Sequence, residues 1–353
     1  MTTEVNPERM ETFLHKVVAD LAASYGGIMV SVGDKLGLYR ALRKIGPADA
    51  PELAAEAGCA ERYVREWLNA QAAAGYVQYN PGEGTYELTP EQAAVFADAD
   101  SEVFFPPAWQ VPASMWFDEH KTLEAFRTGK GVAWSDHDDR LFCGVAAFFR
   151  NGYRANLVSK WIPALDDVER KLARGAKAVD VGCGHGHSTV FMAEAYPKSQ
   201  FLGLDTHASS IAAARRNAEA AAVGNVRFEI PDGGDFAPGD ADLICFFDCL
   251  HDLGHPAAAA ANALRSLKPG GTVLLVEPYA DDRPEHNHNP VGQIYYSAST
   301  TLCCAHALSE NGTHALGAQA GFARLEQIFR EAGFSRFRLA AQTPFNLVLE
   351  ARP

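Results

Sequence analysis

The sequence predicts an α/β fold: seven strands in a mostly parallel sheet, closed by an antiparallel C-terminal hairpin and preceded by a mainly helical region. Three observations predict it. From Lys177 onward, short apolar runs alternate with helical stretches, the pattern of a parallel sheet covered by helices. The last two runs, Phe337–Ala340 and Asn346–Glu350, lie too close together for a parallel crossover and so pair antiparallel. Before Leu165, apolar residues mostly recur at helical spacing instead.

The elements follow in order. From Pro7 to Leu42, Phe13, Val17, Val18, Leu21, Tyr25, Ile28 and Met29 recur at steps of three and four, as on a helix face. Pro51–Gly58 reads as a short helix ending on glycine, and Glu61–Ala74 as a second, with Tyr63, Val64, Trp67 and Leu68 on one face. Val77–Tyr79 and Thr85–Leu88 flank the turn Asn80–Gly84 and read as two short strands. Helix, turn, helix and a two-stranded wing make a winged helix-turn-helix. Residues 91–165 are helical and aromatic-rich, interrupted by a loop at Gly129–Asp139. Asp139–Leu165 is then one long helix or a broken pair.

In the second half, strands are expected at Ala178–Val181, Phe201–Asp205, Val226–Ile230, Leu243–Phe247 and Thr272–Val276, followed by the final hairpin. Helices are expected at Ser188–Tyr196, Ser209–Ala222, Pro256–Leu267 and Phe322–Ala332. Two domains result: a helical and winged-helix region at 1–165 and an α/β domain at 166–353.

Bulk properties narrow the function. The chain has 353 residues, 47% of them hydrophobic, enough for a full core. No apolar run reaches the length of a membrane span, and the polar start lacks a signal-peptide core. A cytoplasmic protein is expected. Seven cysteines, an odd count without paired CxxC spacing, read as free thiols, and no metal is expected. The net charge of −13 disfavours nucleic acid, whose binding draws on Lys and Arg contacts to phosphate.

The chemistry concentrates at Val179-Asp180-Val181-Gly182-Cys183-Gly184-His185-Gly186. Glycines 182, 184 and 186 lie between a strand and a helix, where the backbone turns tightly and approaches a ligand. The dinucleotide pattern GxGxxG would need a glycine at 187, which is His187, so a pyrophosphate is not the favoured ligand. Asp205 ends the next strand, 25 residues after Asp180, where a carboxylate accepts both ribose hydroxyls. Asp232, followed by Gly233, ends the third strand, where an acid accepts from an adenine amino group. A nicotinamide dehydrogenase is the rival reading of the same turn.

VDVGCGHG (179–186), FLGLDTH (201–207), FEIPDGGDF (228–236) and LKPGGTVLLVE (267–277), in this order, resemble the class I S-adenosylmethionine-dependent methyltransferases over roughly residues 177–350. The resemblance implies a Rossmann-like sheet and S-adenosylmethionine as cofactor, leaving as S-adenosylhomocysteine. It implies cofactor contacts from Asp180, Gly182, Cys183, Gly184 and Gly186 at the methionine end. Asp205 and Thr206 would meet the ribose, and Asp232 and Gly233 the adenine, with Phe247 and Tyr153 nearby.

Leu250-His251-Asp252 resembles the Leu-His-Asp-Trp segment of plant-type small-molecule O-methyltransferases. That resemblance implies His251 as general base, braced by Glu277. A second carboxylate expected before the final helix is missing from Leu316–Gly321, and Leu253 replaces the tryptophan. The segment Phe246–Asp252 lacks the Asp/Asn-Pro-Pro-aromatic motif of enzymes that methylate nucleobase amines.

The whole chain, wing included, resembles the bacterial winged-helix methyltransferases, closely an uncharacterised mycobacterial one, and this implies a homodimer. The acceptor expected is a small aromatic or apolar molecule, taken at a hydroxyl. Trp116, Phe117, Trp134, Phe148, Phe149, Tyr295 and Tyr296 are candidates for its pocket or for ordinary helix core. Two alternatives stay open: a winged-helix regulator that senses S-adenosylmethionine, and a cofactor binder without turnover. Against the regulator, the expected recognition helix carries Glu61, Arg62, Arg65 and Glu66, with no basic excess.

Overall fold

The computed structural model describes residues 4–231, 236, 240–312 and 315–353. The chain forms two compact units, Met1–Ala113 with Cys143–Asn151, and Ser114–Phe142 with Gly152–Pro353. No helix among the described residues is long and apolar enough to cross a membrane.

The first unit starts with helix Pro7–Lys35, capped by the Asn6 side chain accepting from Arg9 N–H. The expected helix through Leu42 breaks early. Gly37 takes a left-handed φ of 71°, and a second helix, Leu38–Ile45, starts after it. Helices Ala50–Ala57 and Glu61–Ala73 follow, the first opened by a reciprocal Asp49/Glu52 capping box. Strands β1 (Gln78–Asn80) and β2 (Thr85–Glu87) pair antiparallel as the wing. Only the C-terminal part of the long first helix is packed. Gly33 lets the Trp67 and Tyr39 rings close on it, and Trp67 donates to Met29 O at 2.9 Å. Phe13, Leu14, Val17, Val18, Leu21, Tyr25 and Ile28 are all exposed.

The second unit holds the expected sheet: β3 (Lys177–Val181), β4 (Gln200–Leu204), β5 (Val226–Glu229), β6 (Ala241–Phe247), β7 (Leu267–Pro278), β8 (Arg336–Gln342) and β9 (Asn346–Arg352). Their order is β5-β4-β3-β6-β7-β9-β8, parallel from β5 to β7 and antiparallel at β9 and β8. All seven residues of β6 are buried, as a strand covered on both faces requires. Ile244, Phe246, Val273, Leu275, Phe329 and Leu349 belong to the main core cluster; each such side chain contributes about 1.5–3 kcal/mol by leaving water.

Strand β7 runs longer than expected. Lys268–Gly271 bulges within it, and the register jumps from Ala241↔Leu267 to Leu243↔Thr272, with Gly270 at φ 77°. The Asp139–Leu165 region is a helix at Arg140–Asn156 that widens into a π-turn at Leu157–Trp161.

Register aligns the strand ends. Val181 pairs with Leu204 and Phe246, and Phe247 pairs with Val276. The residues that follow, Gly182, Asp205, Asp248 and Glu277, therefore emerge along one edge of the sheet. The strand order switches sides between the parallel neighbours β3 and β6, and such switch points are where open α/β sheets bind ligands.

Candidate active site

The turn after β3 carries three left-handed glycines: Gly182 (φ 71°), Gly184 (φ 52°) and Gly186 (φ 73°). Two of them are also packing requirements. A Cβ on Gly182 would lie 2.8 Å from the Cys249 side chain, and one on Gly186 2.7 Å from the Phe228 ring. A Cβ on Gly184 would meet nothing within 4 Å. Gly184 is thus the glycine that faces open space, where a ligand can approach the backbone.

Two carboxylates hold this turn. Asp205 is half-buried; it accepts Gly184 N–H through Oδ2 and His207 N–H through Oδ1, each at 2.8 Å. Each oxygen keeps a lone pair for a further donor. Asp180 is buried in β3 and accepts the hydroxyls of Ser188 (2.7 Å) and Thr189 (2.6 Å) through Oδ2, pinning the next helix to the strand. Its Oδ1 is buried without a hydrogen-bond partner, and burial pushes its pKa up to about 6. Cys183 is buried, which pushes its thiol up. Thr206 is exposed at the end of β4. Asp232 and Gly233 lie outside the described residues.

The end of β6 is the most polar part of this edge. Phe247 is buried, with its ring centroid 5.5 Å from that of Tyr153. The Tyr153 hydroxyl donates to Asp248 Oδ2 at 2.7 Å, and Asn346 Nδ2 donates to Oδ1 at 2.9 Å. Asp248 has φ 50°, a conformation that costs a non-glycine residue about 1–2 kcal/mol. Desolvation is the main reason its pKa is pushed up to about 8.

Three residues further on, His251 is buried against Glu277. Its Nδ1 lies 2.5 Å from Glu277 Oε2, while Oε1 accepts Leu250 N–H at 3.1 Å. Its Nε2 lies 3.1 Å from Asp252 Oδ1. Burial opposes a charge on the ring, but the carboxylates of Asp252 and Glu277 outweigh it and hold the imidazole well above its ordinary pKa. Asp252, adjacent in sequence, thus places a second carboxylate against His251, although Leu316–Gly321 supplies none.

The aromatic candidates divide between the two units. Phe148 and Phe149 belong to the first unit and pack near Phe105. In the second unit Trp116 and Phe117 are exposed, Phe117 with the Arg140 guanidinium 5.1 Å from its ring. Trp134 is half-buried among Phe142, His137 and His306. Tyr295 is buried and donates to Phe345 O at 2.8 Å, whereas Tyr296 is exposed.

Sequence reasoning missed Asp248, Asn346 and Cys303. Asp248 and Asn346 are 98 residues apart and meet only because Asn346 of β9 pairs with Pro278 of β7, beside the end of β6. An acid directly after the apolar run Leu243–Phe247 was the available signal for Asp248.

Comparison with known proteins agrees with this architecture. Residues 24–98 match an Rv2258c-like winged helix-turn-helix domain, and residues 172–333 match a methyltransferase domain. Trans-aconitate 2-methyltransferase of Methylobacterium nodulans is 36% identical over 126 residues, covering 35% of this chain and 47% of that protein. The chain therefore spans less than half the length of this relative. Two solved structures share the whole fold. Mitomycin 7-O-methyltransferase superposes with a TM-score of 0.69 at 18% identity, covering 99% of this chain and 100% of the other. Human N-acetylserotonin methyltransferase, in complex with S-adenosylmethionine, gives 0.66 at 16% identity, covering 100% and 99%.

Proposed function

We propose that this chain transfers a methyl group from S-adenosylmethionine to an oxygen of a small molecule, with a hydroxyl as the acceptor. The observation that carries the reading is the alignment of the glycine turn, Asp205 and the Glu277–His251 pair on one edge of the sheet. The turn suits the cofactor: Gly184 faces open space, Asp205 has acceptor capacity left, and Asp180 holds a buried oxygen without a donor. Gly182, Cys183, Gly184 and Gly186 would line its methionine end, Asp205 and Thr206 its ribose, and Phe247 a flank. When bound, it supplies an electrophilic methyl group on a sulfonium.

The chain's own residues do the rest. A neutral hydroxyl is a weak nucleophile, and a base positioned within hydrogen-bond reach raises the rate about 10²–10⁴-fold. Glu277 fixes the orientation of His251 through Nδ1, so that Nε2, 3.1 Å from Asp252 Oδ1, is the nitrogen that would take the acceptor's proton. The ring must first lose the proton that its two carboxylates favour. Tyr153 and Asn346 hold Asp248 beside the same strand end, where its carboxyl offers the acceptor a polar anchor. The trans-aconitate relatives favour a second reading, a carboxylate acceptor, which is already ionised and needs no base.

We assign the exposed face of helix Pro7–Lys35 to a homodimer contact. Along the second helix of the winged helix-turn-helix, Arg62 pairs with Glu66 and Arg65 with Glu61, which counts against DNA recognition by that helix.

Calorimetry with S-adenosylhomocysteine tests the reading. Wild type should bind one equivalent, and Asp205→Ala should bind at least about tenfold more weakly, since a hydrogen bond to a charged group contributes about 1.5–3 kcal/mol. Unchanged affinity in Asp205→Ala would remove the ribose assignment, and no binding by wild type would remove the function.

A further inference from the structure

The side of His251 that Glu277 leaves open carries two more ligand-type groups. Among the described residues, His251, Asp252 and Cys303 form a cluster whose donor atoms all lie within 4.8 Å of one another. His251 and Cys303 are buried, and Cys303 is a free thiol. Cys303 ends Ser299–Cys303, a π-helical turn inserted between two α-helical stretches. Such turns are rare and frequent at functional sites. Asp252 Oδ1 is buried 3.1 Å from Nε2, and the carboxylate lies within hydrogen-bond reach of both His251 and Cys303.

We infer that His251 Nε2, the Asp252 carboxylate and Cys303 Sγ form a binding site for a zinc-class divalent cation. One imidazole, one carboxylate and one thiolate is a ligand set suited to such an ion, and three protein ligands leave a fourth position open. Bonds of about 2.0–2.3 Å place neighbouring ligand atoms about 3–4 Å apart, so the 4.8 Å limit leaves only a small closure. Glu277 adds the support that metal-binding histidines use. It holds the other ring nitrogen and thereby commits Nε2 to the ion. The Asp252 carboxylate and the Cys303 thiolate balance the ion's two charges.

The consequence for turnover rests on the proposed function. Nε2 cannot hold a metal and accept the acceptor's proton, so the ion is an inhibitor of the base and not a participant in methyl transfer.

Titrating the metal-free full-length chain with Co²⁺ tests the site directly. Wild type should take up one equivalent with a thiolate-to-cobalt charge-transfer band in the near ultraviolet, and Zn²⁺ should abolish the band. Cys303→Ala should lose it, and Glu277→Gln should weaken uptake about 10–100-fold. S-adenosylhomocysteine calorimetry checks that each variant is folded, and Asp252→Asn replaces Cys303→Ala if that variant does not fold. The site is overturned if wild type shows no band, or if the band survives loss of Cys303 or, where that variant does not fold, of the Asp252 carboxylate. A chain that binds S-adenosylhomocysteine but no metal loses this inference alone. One that binds metal but no S-adenosylhomocysteine loses the methyltransferase reading alone.

Discussion

Glu277 grips His251 and the backbone beside it with a single carboxylate, through Oε2 to Nδ1 at 2.5 Å and through Oε1 to Leu250 N–H at 3.1 Å. The residue at the end of β7 therefore sets both the ring orientation and the path of the chain leaving β6. Glu277→Ala should be costly, because breaking a buried charged pair leaves its partner uncompensated, at about 3–5 kcal/mol. Glu277→Gln keeps an acceptor for Leu250 but weakens the hold on the ring. Its kcat should fall by more than its affinity for S-adenosylhomocysteine changes. Equal losses in both would mean that Glu277 only supports the fold.

The His251 environment predicts opposite pH trends for activity and stability. Its folded pKa is raised, with burial opposing the shift and the carboxylates of Asp252 and Glu277 overcoming it. The stability it contributes is full below the unfolded value of about 6.5 and is lost as pH rises through the folded value. Asp248 and Asp180, raised to about 8 and about 6, also favour the lower side of the range. Activity that needs neutral His251 should instead rise over that window. Denaturant melts and kcat measured across neutral to alkaline pH check both trends, and His251→Gln should flatten part of the stability slope. A kcat that is flat over this range would support the carboxylate acceptor, which needs no base.

The sheet was legible because its signals are local. A buried seven-residue run such as Ala241–Phe247 has few alternatives, and three glycines after a β-strand announce a turn. The His251–Glu277 pairing was expected from the resemblance alone, and the register explains it, since His251 follows β6 and Glu277 lies at the end of the neighbouring β7. What escaped depends on long-range placement. Asn346 reaches Asp248, and Cys303 reaches His251 and Asp252, only after the sheet and the π-turn have formed. The aromatic candidates could not be sorted from sequence, because aromatic residues in helices read alike as core, surface or pocket until packing is known.

The three glycines of the turn should respond differently to alanine. Gly182→Ala drives a methyl group into Cys249 at 2.8 Å, and Gly186→Ala drives one into Phe228 at 2.7 Å. Both variants should lose thermal stability together with cofactor binding. Gly184→Ala meets no atom and carries only the left-handed backbone penalty, about 1–2 kcal/mol. It should stay folded while its affinity for S-adenosylhomocysteine drops at least about tenfold, a contrast that melting curves and calorimetry would show. If Gly184→Ala binds as wild type does, the open space beside it is not where the cofactor lies.

The long N-terminal helix predicts the assembly state. Leu14, Val18, Leu21, Tyr25 and Ile28 follow one another at steps of four, three, four and three, the seam of a coiled coil, and every one is exposed. Soluble chains rarely leave so continuous an apolar stripe in water. A second copy of the same helix would cover it, each buried Leu or Ile contributing about 1.5–3 kcal/mol. Sedimentation should therefore report a dimer at micromolar concentration. Leu21→Glu combined with Tyr25→Glu places like charges along the seam and should yield monomers. Both side chains are solvent-facing within the chain, so the wing and the α/β domain should keep their folds. A monomeric wild type, or a dimer untouched by the two substitutions, would show that this face does not mediate self-association.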